Sequence, residues 1–393
     1  MKKDILNTKI QEFINDNINS DTTKLLLKGV PFKNVGSKLI VEQIEAKKRC
    51  LKKLPTWFNT QNIYFPNKLN IEQTSSETTA NYKANLVSGQ SLIDLTGGFG
   101  VDTFHFSKQV ENVTHCEINS ELSNIVQYNY EALKISNVKC LNQNGIEALK
   151  QIDQQFDWIY IDPSRRDDLK NKVFLLADCE PNIKTFQELF LKYSKNVMIK
   201  TSPLLDLTAT LSDLQHVKEI HIVASNNEVK ELLWILERDY KGETIIKTVN
   251  LKHVNPQFFE YYFKEESKAN VTYSMPLSYL YEPNSAVLKS GGFNSVSELI
   301  KIYKLHQHSH LYTSQELLEF PGRRFKIERI LPYNKKIIAK ENISKANITT
   351  RNFPLSVSEI RKKLKIKDGG QSYLFFTTDI NDNKSVIICS KVL

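Results

Sequence analysis

Between Ser91 and Val249, short apolar runs alternate with amphipathic patterns, and this alternation restricts the fold more than any other feature of the chain. The strand candidates are Ser91–Leu95, Val113–Glu117, Val138–Leu141, Trp158–Ile161, Val197–Lys200, Ile220–Ala224 and Thr244–Val249. Helical patterns fall around Asp102–Lys108, Ser120–Lys134, Ile146–Gln151, Ile183–Tyr193, Leu207–Leu214 and Glu228–Arg238, the last read from Val229, Leu232, Leu233 and Leu236. Parallel strands need a crossover connection, and a helix is the usual one. The predicted class is therefore α/β: a Rossmann-like parallel sheet covered by helices on both faces.

With 393 residues, 40% of them hydrophobic, the chain has room for two or three domains. Ile10, Phe13, Ile14 and Ile18, and later Val41, Ile44, Leu51 and Leu54, recur at helical spacing, so residues 1–70 are predicted to be a helical domain ending near Pro55. Thr74 followed by Glu77 fits a capping box that starts the next helix. The α/β domain is placed at 71–265. After it come a helix-like stretch at Val296–Leu305, β-rich runs from Phe325, a basic helix at Ser358–Leu364, and strands at Ser372–Thr377 and Ser385–Cys389.

The first strand of the sheet runs into Asp94-Leu-Thr-Gly-Gly-Phe-Gly-Val-Asp102. Glycines let a backbone fold tightly and let a ligand approach its amides, and ligands of open α/β sheets bind beyond the carboxyl ends of the strands. The next strand ends in Glu117, an acid placed to hydrogen-bond both hydroxyls of a ribose. A dinucleotide site needs G-x-G-x-x-G, and counting from Gly98 and Gly100 the third position is Thr103. Asp94 also suits a cofactor whose amino group it helps to orient. The expected cofactor is S-adenosyl-L-methionine, with Asp94, Thr96, Gly97, Gly98, Gly100, Asp102 and Glu117 as its site. Seven strands with this spacing suit the class I methyltransferase core, in which the last strand is antiparallel. Asn142 and Asn144 both end the third strand, and either could read the adenine edge; Asn144 is carried as the candidate, against a plain Asn-Gly turn.

A second signal is Phe156-Asp-Trp-Ile-Tyr-Ile-Asp-Pro-Ser-Arg-Arg166, an apolar strand ending in Asp162-Pro163. Its position resembles the Asp/Asn-Pro-Pro-aromatic signature of methyltransferases acting on exocyclic amines of nucleobases. There a side-chain oxygen and a backbone carbonyl orient the acceptor, and positioning supplies much of the rate. Here Ser164 replaces the second proline and Arg165 the aromatic, and a guanidinium can stack on a base or bind phosphate. Asp162, Pro163, Ser164 and Arg165 form the catalytic set; Arg166 and Lys200, the latter at the end of the fifth strand, are the substrate-binding candidates. Arg165 and Arg166 could instead pair with Asp167, Asp168 or Glu180. Cys179 could attack a pyrimidine ring, but it does not follow a strand-end proline.

The net charge of +9 is not spread evenly. Residues 321–393 hold 16 Lys and Arg against 6 Asp and Glu, a net +10, and the rest of the chain carries −1. A basic module on a neutral body points to a polyanion, RNA being the expected partner. The five cysteines have no C-x-x-C spacing, so no metal site and no disulfide framework are expected. No apolar run approaches a membrane span and the first residues lack a signal peptide, which makes the cytoplasm the expected location.

Taken together these residues resemble a bacterial family of class I methyltransferases with a THUMP-like C-terminal domain. The resemblance covers nearly the whole chain. It rests on Glu72-Gln-Thr-Ser-Ser-Glu77, the Asp94–Asp102 turn, Ile161-Asp-Pro-Ser-Arg-Arg166, Lys200-Thr-Ser-Pro203, Asn226-Asn-Glu-Val-Lys-Glu231, Arg351-Asn-Phe-Pro354 and Asp368-Gly-Gly370. It implies a ferredoxin-like domain at 275–320, a THUMP-like domain at 321–393, and an S-adenosylmethionine-dependent RNA methyltransferase. Two other readings stay open from the sequence: a catalytically silent RNA-binding or assembly protein of the same shape, and a methyltransferase for protein or small molecules.

Overall fold

The computed structural model describes residues 1–165, 176–252 and 254–392, with only the backbone of Arg165. The chain forms two compact units, 1–218 with 231–241, and 219–230 with 242–393.

In the first unit, helices α1 (Thr8–Asp16), α2 (Thr22–Lys28), α3 (Ser37–Lys53), α4 (Pro55–Asn59), α5 (Lys68–Gln73) and α6 (Glu77–Ala84) precede the sheet. Ile10, Ile14, Ile40, Ile44 and Trp57 share one apolar core with Phe99, Val101, Phe104, Leu122 and Val126. Trp57 meets Phe104 edge to face, 4.7 Å between ring centroids. The N-terminal helices therefore pack directly on the helices that follow the glycine turn. The capping reading at Thr74 needs correction. Thr74 is the C-terminal cap of α5, while Ser76 caps α6 by accepting from the Thr79 amide. Glu77 turns away to accept from the Thr56 amide at 2.6 Å and the Thr56 hydroxyl at 2.7 Å, a long-range use that local spacing cannot reveal.

Strands β1 (Gly89–Asp94), β2 (Val110–Cys116), β3 (Val138–Leu141), β4 (Phe156–Ile161), β5 (Ser194–Thr201), β6 (Val217–Ser225) and β7 (Glu228–Glu237) follow, and the strands of the first unit lie in the order β3-β2-β1-β4-β5-β7. Helices α7 (Val101–Phe106), α8 (Ser120–Ala132), α9 (Gly145–Ile152), α10 (Ile183–Tyr193) and α11 (Leu207–Asp213) fill the connections. β1 to β5 are parallel, and β7 runs antiparallel to β5. Ile93, Ile159, Ile161, Val197 and Ile199 have no exposed surface, as expected of strands covered on both faces.

The Glu228–Arg238 segment, expected to be helical, is strand β7. Its apolar positions fit a helix stripe, but Leu232 to Leu236 form an unbroken apolar run buried on both sides, which periodicity cannot distinguish from a helix. Asn226 (φ 50°) and Asn227 (φ 65°) turn the chain just before it, a two-residue hairpin signal of the kind asparagine favours. The antiparallel strand is thus β7; the Thr244–Val249 candidate, observed as β8 (Ile245–Leu251), is parallel to β6.

In the second unit, β8 pairs with β9 (Gln257–Tyr262), and a seven-stranded sheet follows. Its strands are β10 (Tyr279–Pro283), β11 (Tyr303–Lys304), β12 (Tyr312–Ser314), β13 (Gly322–Pro332), β14 (Lys345–Arg351), β15 (Lys367–Thr378) and β16 (Lys384–Val392), in the order β11-β12-β10-β13-β16-β15-β14. β10 pairs with β13, so segments from both expected C-terminal domains share one sheet. Helices α12 (Ser285–Ser290), α13 (Phe293–Ile300), α14 (Lys335–Ala339) and α15 (Val357–Leu364) complete it; Ile338 and Ile360 cover Leu374, Phe376 and Val386.

Candidate active site

The glycine turn leaves β1 with Gly98 (φ 55°) and Gly100 (φ 76°) in left-handed backbone, which glycine adopts without steric cost. Gly97 is pressed on the ring of His115, where a Cβ would lie 2.1 Å from Nε2. Burial pushes the His115 imidazole down to about 4, so a neutral ring supports the turn. At Gly98 the Cβ direction is open, with only the Thr96 carbonyl within reach at 3.8 Å.

Asp94 is buried beneath the turn and accepts from the Thr96 amide at 3.0 Å and the Thr103 hydroxyl at 2.7 Å. Its carboxyl braces the turn. Burial pushes its pKa up from 3.8 to about 7, against the lowering effect of those two hydrogen bonds. Because the folded value lies above the unfolded one, Asp94 favours folding below pH 4 and loses that contribution as pH rises through 7. Asp94→Asn keeps the shape and removes the titration. The variant should gain stability relative to the wild type between pH 4 and 8, by an amount on the order of 4 kcal/mol. Parallel denaturation midpoints of the two proteins across that range would refute this assignment.

Glu117 stands just past β2, half-buried. One oxygen accepts from the Gly98 amide at 2.9 Å and the other from the Asn119 amide at 2.7 Å, which ties the acid to the turn. Ile118 beside it is 71% exposed, and the Asn142 amide fixes this corner by donating to the carbonyls of Glu117 (3.0 Å) and Ile118 (3.2 Å). Asn144 is the cap of α9, its oxygen accepting from the amides of Ile146 and Glu147. Sequence reasoning passed over Ile118; an isoleucine directly after a strand-end acid was the available signal.

Asp162 and Pro163 follow β4, next to β1 in the sheet. The Asp162 amide donates to the Thr96 hydroxyl at 2.6 Å, so the glycine turn and the end of β4 are bonded directly. The Asp162 carboxylate accepts a hydrogen bond from the Lys200 ammonium at the end of β5. Burial works to lower the Lys200 pKa, but Asp162, Asp102 and Glu231 outweigh it and hold the ammonium above its usual value. Lys200 was expected to meet substrate; its side chain is only 12% exposed and is paired with Asp162. Ser164–Arg165 forms a short antiparallel ladder with Cys179–Glu180. Cys179 is buried. The Arg165 side chain and Arg166 lie outside the described residues.

Asp102 lies deeper. One of its oxygens accepts from Ser75 (2.8 Å) and Tyr160 (2.7 Å), and the other is 3.2 Å from the Lys83 ammonium. Burial works to raise its pKa, and Lys83 and Lys200 overcome that to hold the carboxyl below its ordinary value. Lys83, with no exposed surface, also donates to both oxygens of Glu231 at 2.8 and 2.9 Å. Ser75 comes from the Glu72–Glu77 motif and Glu231 from the Asn226–Glu231 motif, so segments far apart in sequence meet under the site. Lys83 was not singled out in the sequence; nothing local distinguishes it from a surface lysine.

A crystal structure of a Porphyromonas gingivalis W83 protein assigned as a methyltransferase aligns with 100% of this chain and 99% of its own, at 31% identity and a TM-score of 0.88. The chain belongs to that methyltransferase family. Residues 67–210 match the family described as conserved hypothetical protein 95, residues 279–321 a ferredoxin-like domain and residues 322–391 a THUMP domain-like family. An uncharacterized RNA methyltransferase of Mycoplasma mobile is 28% identical over 144 residues, which are 35% of this chain and 39% of the relative. The chain thus spans about two fifths of the length of that curated relative. Family membership agrees with the class I methyltransferase fold expected from the sequence, and the methyl donor of that class is S-adenosylmethionine. Around the turn the chain presents an open Cβ direction at Gly98, a carboxylate fixed at Glu117 and an exposed apolar side chain at Ile118. Among the described residues no group of His, Cys, Asp and Glu side chains gathers as metal ligands, and no helix is long and apolar enough to cross a membrane.

Proposed function

We propose that this methyltransferase modifies a nucleobase of RNA, with the basic C-terminal domain capturing the RNA. The observation that carries the reading is the direct bond between the Asp162 amide and Thr96, which sets an acceptor-positioning carboxylate beside the turn of the donor site. In this reading Gly97, Gly98 and Gly100 shape the donor pocket, Asp94 and Asp102 hold it rigid, Glu117 takes the ribose and Ile118 covers the adenine, with Asn144 fixing the neighbouring wall. S-adenosylmethionine supplies a methyl group on a sulfonium, transferred by in-line displacement. Asp162 and the carbonyl next to Pro163 accept hydrogen bonds from the acceptor and aim its lone pair. Ser164, Arg165 and Arg166 are assigned to the substrate, and Lys200 holds the Asp162 carboxylate in place by its hydrogen bond. Orientation of this kind accounts for a large part of the rate in a two-substrate reaction. The expected cofactor is tested by calorimetry with S-adenosylmethionine, where absence of heat at millimolar ligand would reject the site. The RNA reading is tested by transfer of labelled methyl groups to total RNA from a strain lacking the protein. Label appearing in protein extract and not in RNA would replace RNA with a protein substrate.

A further inference from the structure

The Asp368-Gly-Gly370 motif takes no part in the site described above. It opens β15, where the ladder with β14 slips: Ala346 pairs with Asp368, and Asn347 with Tyr373. Gly369, Gly370, Gln371 and Ser372 are thus left unmatched on the β14 side. Gly369 (φ 91°) and Gly370 (φ 89°) are both in backbone that other residues rarely adopt, which explains the glycine pair. Asn347 locks the bulge by donating to the Gly370 carbonyl at 2.9 Å. The side chain of Lys345 lies across it, so that a Cβ on Gly369 would be 3.1 Å from Lys345 Cε and 3.6 Å from its Nζ.

The charge here is uncompensated. Lys345 and Lys367 are exposed and are register partners in the parallel ladder, so two like charges lie side by side. Lys365, at the left-handed end of α15, and Lys362 and Lys363 on its last turn are exposed as well. The neighbouring acids are already engaged: Asp368 bonds Arg361, Glu359 closes the capping box with Ser356, and Glu341 pairs with Arg329 at 2.8 Å. Arg361 also donates to the Ala346 carbonyl at 3.2 Å, which holds the end of α15 against the start of β14.

We propose that this glycine bulge, with Lys345 and Lys367, is a phosphate-binding point for the RNA backbone. A phosphate there offsets the repulsion between the two lysines, and the glycine pair lets the Lys345 side chain lie close across the bulge. The inference rests on the RNA reading above and locates the contact within the domain. It is tested by fluorescence anisotropy of the full chain with a labelled single-stranded 20-nucleotide RNA, titrated over a range of salt. Replacing both Lys345 and Lys367 by Gln should weaken binding about tenfold near 0.1 M salt and lower the logarithmic salt slope by about 1.4, the value for two lost phosphate contacts on a single strand. Replacing Lys335 and Lys336 on α14 by Gln removes the same charge elsewhere and should change the slope by less than half as much. Equal effects of the two double variants, or an unchanged slope in the first, overturn the site while leaving RNA binding intact. Absence of binding by the wild-type protein overturns the RNA reading and the site with it. Calorimetry with S-adenosylmethionine on each variant confirms that the first unit is folded.

Discussion

Asp162→Asn is expected to lower methyl transfer by about 100-fold or more while changing the affinity for S-adenosylmethionine by only a few-fold. The substitution preserves the side-chain shape and leaves the backbone bond from residue 162 to Thr96 in place. What it removes is the charge that Lys200 grips and one of the two oxygens proposed to orient the acceptor. Asp162→Ala is the less informative variant, because it removes every side-chain acceptor that residue 162 offers to the Lys200 ammonium as well as the charge. The pair of measurements is label transfer at saturating RNA and calorimetric titration of the cofactor. Full activity in Asp162→Asn would move the acceptor site away from the end of β4. A parallel loss of cofactor affinity and activity would instead mean that residue 162 serves the donor pocket.

Lys83→Met should cost roughly 3–5 kcal/mol of folded stability, since it strands Glu231 and Asp102 in the interior without their cation. An exposed pair gives the scale: Lys38 and Glu42, 3.9 Å apart on the surface of α3, contribute under about 1 kcal/mol, and Lys38→Met should scarcely move the urea midpoint. Combining Lys83→Met with Glu231→Gln should recover part of the loss, because the second change removes one of the stranded charges. Additive losses in the double variant would show that Lys83 acts through packing and not through its charge. Tyr160 links this network to β4 two residues before Asp162, so cofactor-saturated transfer in Lys83→Met should fall further than the unfolded fraction explains.

The segments that the chain spaces most regularly appear in the structure with little change. The strand at Trp158–Ile161 was legible because a strand buried on both faces needs an uninterrupted apolar run. The turn was legible because left-handed backbone at Gly98 and Gly100 favours glycine and the His115 ring leaves no room for a Cβ at Gly97. Where two structures share one pattern, the sequence could not decide. Leu232 to Leu236 suits a buried helix as well as a buried strand, and only pairing with Val197–Thr201 on β5 settles it. Roles that depend on a distant partner were equally hidden. Glu77 reads as half of a capping box until Thr56 is seen to claim it, and the pairing of Lys200, a substrate-binding candidate, with Asp162 is likewise not written in the sequence.

What the sequence determined by itself was the glycine turn, the acid at Glu117 and the Asp162-Pro163 strand end, because each is fixed by local backbone geometry and by the register of one strand. The tertiary structure alone decided how these are held. Ser75, Lys83, Asp102, Tyr160 and Glu231 come from five separate stretches of chain and form one buried network, and no local pattern encodes it. The physical reason is that a charge is tolerated inside a protein only where a partner meets it, and that partner is brought by the fold and not by the neighbouring residues.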